Sequence, residues 1–306
     1  MKSIITTTKN ILKKTIVYDF YIVLNNKIFY PFFLKRVGVN RSFPKEKGIS
    51  EILALGNNKL IVSLTTFPAR INYVGETIKS IMHQSYKPNM IILWLSKLQF
   101  HNQELDLPEE LLNLKKYGLT IKWLEDDIRS YKKLIPALLD YPDDVIVTAD
   151  DDVYYPSSWL YNLVESYKDN PNVVHCHTST RVDWLDGGFV FTGRHGIKGD
   201  NSIVNNNKLV GVGGVLYPPH CLYKDVTDKE LFLKLAPTND DIWFWAMALA
   251  NGRSVRWLKN NIDGLYYVKG SQENSDCLTN INDHGDRLIE AQTKAVFEYY
   301  GLMKLL

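Results

Sequence analysis

Four short apolar runs, Leu60–Leu64, Met90–Leu95, Leu119–Leu124 and Val145–Thr148, alternate with stretches of helical spacing. No other feature constrains the chain as much. Between the first two runs, Asn72–Gln84 carries apolar residues at Tyr73, Val74, Ile78, Ile81 and Met82, a helical interval. Tyr131–Leu139 also reads as a helix, with Pro136 placed near its first turn, where a missing N–H costs nothing. Continuous apolar strands alternating with helices predict an α/β fold: a mostly parallel central sheet covered on both faces. Ligands of such sheets bind just beyond the carboxyl ends of the strands.

The residues at those ends are therefore the candidates for chemistry. Thr65-Thr66-Phe67-Pro68-Ala69-Arg70 follows the first run, Ser96-Lys97 the second, Glu125-Asp126-Asp127 the third and Asp150-Asp151-Asp152 the fourth. Three adjacent carboxylates repel one another, and a divalent cation removes that repulsion. Hard oxygen donors suit Mg²⁺ or Mn²⁺, with diphosphate oxygens completing the shell. The plainer alternative is a solvated turn in which Asp150 or Asp152 caps a helix around Ser158–Tyr167.

The order of blocks resembles bacterial glycosyltransferases of the GT-A fold, in the family-2-like group associated with capsular and surface polysaccharides. Ile61–Arg70 is similar to that group's first strand and nucleotide loop, and Val147–Pro156 to its metal-binding Asp-x-Asp segment. Gly211-Val212-Gly213-Gly214-Val215-Leu216-Tyr217-Pro218-Pro219 looks like the glycine-rich acceptor-side strand. Ala236–Trp245, with Asp240-Asp241 inside it, looks like the block that carries the catalytic base. The resemblance covers roughly residues 59 to 290 and implies inverting transfer of a sugar from a nucleotide donor, most simply a UDP-sugar. Its acceptor would be a surface glycan or a lipid-linked precursor.

In that frame Asp150 and Asp152 hold the metal, with Asp151 beside them at the nucleotide sugar, and the metal offsets charge growing on the leaving diphosphate. Thr65, Thr66, Phe67 and Arg70 line the nucleotide; Asp127, or its neighbour Asp126, accepts from a base N–H; Lys133 reaches a phosphate. One of Asp240 and Asp241 takes the acceptor proton, and the resemblance favours Asp241, with the other residue capping the helix that follows. Gly211, Gly213 and Gly214 would let backbone approach the acceptor closely. Of Trp243 and Trp245 one would be core and the other, taken as Trp243, would stack on a sugar; His284 would complete the metal shell as a late histidine does in many GT-A enzymes. His175 and His177 read as core or acceptor-site histidines.

Residues 1–57 are set apart as an extension and connector, and 58–306 as the transferase domain, with 58–152 for nucleotide sugar and metal and 153–306 for acceptor. Ile11–Arg36 mixes lysines with aromatics and contains a single acidic residue, Asp19. Such a segment either packs as a helix or lies on an anionic membrane surface. The net charge of +2 excludes a general nucleic-acid binder. Cys176, Cys221 and Cys277 form no paired motif, which argues against a disulfide scaffold and fits a reducing compartment. The expected location is cytoplasmic, with peripheral contact at the inner face of the plasma membrane. Two rivals remain. A nucleotidyltransferase acting on sugar phosphates would carry a glycine-rich basic loop where Thr65-Thr66-Phe67-Pro68 stands. A non-catalytic glycan-binding protein on a transferase fold has no need of Asp150, Asp152 and Asp241.

Overall fold

The four apolar runs form strands where the alternation places them. The computed structural model describes residues 29–53, 55–193, 198–262, 264–273 and 286–306. A short helix, α1 (Tyr30–Arg36), lies in the first of two units, which ends at Asn40; Arg41–Leu306 forms the second. In α1, Phe32 is 69% exposed, and the basic pair Lys35 and Arg36 ends the helix, a favourable place for positive charge.

The second unit opens with β1 (Leu60–Thr65), α2 (Ile71–Met82), β2 (Met90–Ser96), α3 (Glu109–Asn113), β3 (Leu119–Leu124), α4 (Ile135–Asp140) and β4 (Val145–Thr148). Along β1, Leu60, Val62 and Leu64 enter one hydrophobic core and Ile61 the other, so the strand is buried on both faces. Pro136 sits in the first turn of α4, as the sequence predicts. Then come β5 (Val153–Tyr154), α5 (Trp159–Asp169), β6 (Val174–Cys176), β7 (Ser179–Leu185), β8 (Gly188–Thr192), β9 (Ile203–Val204), β10 (Asn207–Leu209) and β11 (Val215–Tyr217). The chain closes with α6 (Lys229–Leu235), α7 (Asp240–Ala250), β12 (Val255–Trp257), β13 (Tyr266–Tyr267) and α8 (Asp286–Tyr300).

The central sheet has eight strands in the order β3-β2-β1-β4-β11-β6-β12-β9. β1 pairs in parallel with both β2 and β4, and β2 in parallel with β3. β11 runs antiparallel between β4 and β6, and β9 is antiparallel to β12. The sheet is thus mixed but mostly parallel, with α2 and α5 contributing to one core and α6, α7 and α8 to the other. Strand order proceeds outward from β1 to β3, then returns to β4 on the other side of β1. That reversal leaves a crevice beyond the carboxyl ends of β1 and β4. A three-stranded sheet, β10-β7-β8, and a ribbon of β13 with β5 complete the strands. Among the described residues, no helix is long and apolar enough to cross a membrane.

Candidate active site

Parallel pairing sets Ser63 of β1 beside Thr148 of β4, so the segments that follow both strands emerge together at the crevice. Thr66 Oγ1 donates to Asp151 Oδ2 at 2.5 Å. Arg70, at the end of the turn Pro68–Arg70, places Nη1 2.9 Å from Asp151 Oδ1 and 2.8 Å from Asp152 Oδ2, and its guanidinium lies over the Phe67 ring. Gln272 also donates to Asp152 Oδ2. The first strand's loop therefore holds the triplet after the fourth strand.

Lys133 ties this cluster to the second half of the chain. Its carbonyl accepts from Ser63 Oγ at 2.6 Å, which fixes its backbone against β1. Its Nζ stands 2.9 Å from Asp150 Oδ1 and 3.1 Å from Asp240 Oδ2. Burial disfavours the ammonium, but Asp150, Asp240 and Asp241 outweigh it and hold Lys133 well above the ordinary lysine range. At neutral pH this lysine is a fixed positive charge between two acidic groups.

Asp240 and Asp241 occupy the first turn of α7, where the helix dipole favours negative charge. Neither is the cap: Asn239 accepts from the Ile242 N–H at 3.1 Å, so the expected division into one base and one capping aspartate is corrected. Asp240 is 6% exposed and faces Lys133. Asp241 Oδ1 accepts from the Gly211 N–H at 3.0 Å, and its Oδ2 makes no hydrogen bond among the described residues. Burial, then the adjacent Asp240 charge, pushes Asp241 up to about 6, with Lys133 and Lys208 pulling the other way. Burial, then Asp151, pushes Asp152 up to about 7, opposed by Arg70.

Thr66, Phe67, Arg70, Lys133, Asp150, Asp151, Asp152, Asp240 and Asp241 thus meet at one edge. Other expected residues stand elsewhere. The Thr65 hydroxyl donates to the Trp94 carbonyl at 2.8 Å and is committed to the sheet. Asp127 is held by Lys132 and by Gln99, whose Nε2 lies 2.8 Å away. Trp243 has 0% exposure and donates to the Val226 carbonyl at 3.0 Å, so it is a core residue with no face open to a sugar. Trp245 is equally buried. Gly213 and Gly214 are buried as well. A side chain at the first would strike Thr178, and one at the second would strike the Trp159 ring, so these glycines make room for protein rather than acceptor. Gly211 differs, since its missing Cβ leaves room for Asp241 and Lys133. His175 bonds Ser166 and the Asn170 carbonyl, and His177 bonds the Trp159 carbonyl and the Ile262 N–H; both are core histidines. His284 lies outside the described residues.

Two participants escape a reading of the sequence. Gln272 lies 120 residues beyond its partner Asp152 and in no motif. Lys208 feels both Asp240 and Asp241, and its only signal is a lysine entering the apolar Leu209-Val210 just ahead of the glycine run.

The donor chemistry suits a divalent cation. Asp150 Oδ2 and Asp152 Oδ1 make no hydrogen bond among the described residues, leaving two hard oxygens at the crevice. Two carboxylates are what Mg²⁺ or Mn²⁺ takes when water and phosphate supply the remaining ligands. Among the described residues, no three His, Cys, Asp or Glu side chains converge into a closed metal cage.

No family model and no curated protein matches the chain. Its fold is similar to solved glycosyltransferase structures. TarS of S. aureus is 13% identical, with a TM-score of 0.44 over 79% of this chain and 72% of that one. The mannosyltransferase PcManGT from Pyrobaculum calidifontis, in complex with GDP-Man and Mn²⁺, is 11% identical, with a TM-score of 0.48 over 88% and 71%. GalNAc-T7 with UDP, GalNAc and Mn²⁺ is 12% identical, with a TM-score of 0.45 over 80% and 53%. At these values the likeness is one of general fold.

Proposed function

We propose that the chain is an inverting glycosyltransferase that moves a sugar from a nucleotide donor, a UDP-sugar in the simplest case, to a glycan or lipid-linked acceptor. One observation carries this reading: Asp241 has one oxygen anchored by a backbone N–H and the other bare, beside a lysine that leads directly to the acidic triplet. A base and a phosphate-side cluster at one crevice are what direct displacement at an anomeric carbon requires.

Thr66 and Arg70 orient Asp151 and Asp152, and Lys133 orients Asp150, so that residues 58–152 bind the nucleotide sugar. Asp150 and Asp152 would hold a Mg²⁺ or Mn²⁺ ion, which when bound supplies positive charge toward the leaving diphosphate. The acceptor hydroxyl donates its proton to Asp241 Oδ2 as its oxygen bonds to the anomeric carbon. The bond from that carbon to the diphosphate oxygen breaks as the new one forms, and the electron pair leaves with the nucleotide. Attack opposite the leaving group inverts the anomeric centre. Lys133 stays protonated throughout and keeps Asp240 from sharing the base's role.

Transfer of labelled sugar from a panel of nucleotide sugars, with and without Mn²⁺, tests the reading. Formation of product with inverted configuration supports it, and absence of transfer from every donor contradicts it. The aromatic, basic segment before Asn40 fits peripheral contact with an anionic membrane. Unchanged binding to anionic vesicles after removal of residues 1–33 would contradict that part.

A further inference from the structure

The buried cationic side chains at and around the crevice are held by carboxylates. Arg70 pairs with Asp151 and Asp152, Lys132 with Asp127, and Lys133 with Asp150 and Asp240. Lys208 is the exception. It is 7% exposed, yet its ammonium has no hydrogen bond or ion pair among the described residues. The stem is largely buried, but Nζ is not among the fully buried unpartnered atoms, so the charged tip remains open to a ligand.

The strand explains where this charge points. In β10, Asn207 donates to the Val255 carbonyl at 3.0 Å and Leu209 enters a hydrophobic core, so Lys208 takes the opposite face. β10 packs against α7, and two residues after the strand the Gly211 N–H binds Asp241. Lys208 thus stands three residues before the backbone group that holds the proposed base. Asp240 and Asp241 both favour its charged form, while burial opposes it and prevails, drawing it below the ordinary lysine range.

We propose that Lys208 is a specificity residue that receives an anionic group of the acceptor, the carboxylate of an acidic sugar or a phosphate, next to the hydroxyl that Asp241 deprotonates. This inference rests on the glycosyltransferase reading. The diphosphate of the donor belongs to the Asp150–Asp152 side, so an anion at Lys208 belongs to the acceptor. An acceptor so held gains a charge-assisted contact that a neutral sugar cannot make. A neutral sugar makes no such contact, and discrimination follows from that difference.

The full chain, with Mn²⁺ and saturating UDP, is titrated with glucuronate, glucose 6-phosphate and glucose by calorimetry. Wild type is expected to bind at least one anionic sugar at least tenfold more tightly than glucose, and which one binds identifies carboxylate or phosphate as the group. Lys208→Met should lose the preference, Lys208→Arg should keep it, and all three proteins should bind UDP equally. Equal affinity for the three sugars in wild type, or a preference retained in Lys208→Met, would overturn the proposal. Failure of wild type to bind UDP would instead count against the nucleotide-sugar reading. Melting of the variants gives an independent measure: Lys208→Met, relieved of an uncompensated charge, should melt at or above wild type. A drop of several degrees would show that the protein itself holds the ammonium, and the proposal would fall.

Discussion

The Gly211 N–H and Asp241 Oδ1 are 3.0 Å apart, so a carboxylate on one helix is fixed by the backbone of a neighbouring turn. A Cβ at Gly211 would lie 2.7 Å from that same oxygen and 2.8 Å from Lys133 Nζ. Gly211→Ala must therefore displace both. Overpacking of this kind typically costs about 1–3 kcal/mol, but the larger effect falls on the base, whose anchored oxygen moves. Turnover is expected to fall at least tenfold while the protein still folds by circular dichroism. Wild-type turnover in the variant would show that the anchoring contact is dispensable.

Lys133 sits between carboxylates from two parts of the chain, and its loss leaves the buried Asp240 and the partly buried Asp150 uncompensated. Breaking a buried pair by removing one partner costs about 3–5 kcal/mol. Lys133→Met should lower the melting temperature by many degrees, and Lys133→Met combined with Asp240→Asn should recover part of the loss. Equal melting of wild type and the single variant would contradict the bridge.

Asp152 provides the test of the metal. Asp152→Asn removes charge but preserves shape, so Gln272 and Arg70 retain an oxygen to bind. Activity should fall, and the concentration of Mn²⁺ needed for half-maximal activity should rise. Excess EDTA should abolish activity in wild type. Full activity in EDTA would remove the metal from the mechanism.

Acid stability follows from the core histidines. Burial lowers His175 to about 3 and His177 to about 4, so both stay neutral in the fold while the unfolded chain takes up protons below about 6.5. Their contribution is full above that value and declines as pH falls. At pH 5 each histidine should have lost about 2 kcal/mol. Denaturant melts at pH 7 and pH 5 should show this decline, and His175→Gln should flatten it. An equal slope in the variant would show that His175 does not contribute to acid stability.

Much of the fold is legible because β1, β2 and β4 are buried on both faces and read as apolar runs, and because α2 shows one apolar stripe. The triplet and the Asp240-Asp241 pair are legible for the same reason: each carboxylate run directly follows an apolar run or begins an apolar helix. What the pattern hides is direction. Trp243 and Gly213 look like ligand-facing residues but turn inward, because α7 is buried nearly all round and the glycine turn packs on Thr178 and Trp159. Lys208 and Gln272 are invisible for the converse reason, since tertiary packing alone brings them to the crevice.

The central claim is that Asp241 is the base and Asp240 is its ion-paired neighbour. The most direct measurement is the pH profile of turnover at saturating donor for wild type, Asp241→Asn and Asp240→Asn. A base held up near 6 must be ionised to act, so wild-type turnover should rise with pH through about 6 and then level. Asp240→Asn removes the adjacent charge that helps raise Asp241, so its rise should shift to lower pH while turnover remains substantial. Asp241→Asn should lose about 10²–10⁴-fold in turnover with UDP affinity preserved and no rise near pH 6. The reverse pattern, an inactive Asp240→Asn beside an active Asp241→Asn that keeps the rise, would contradict the account.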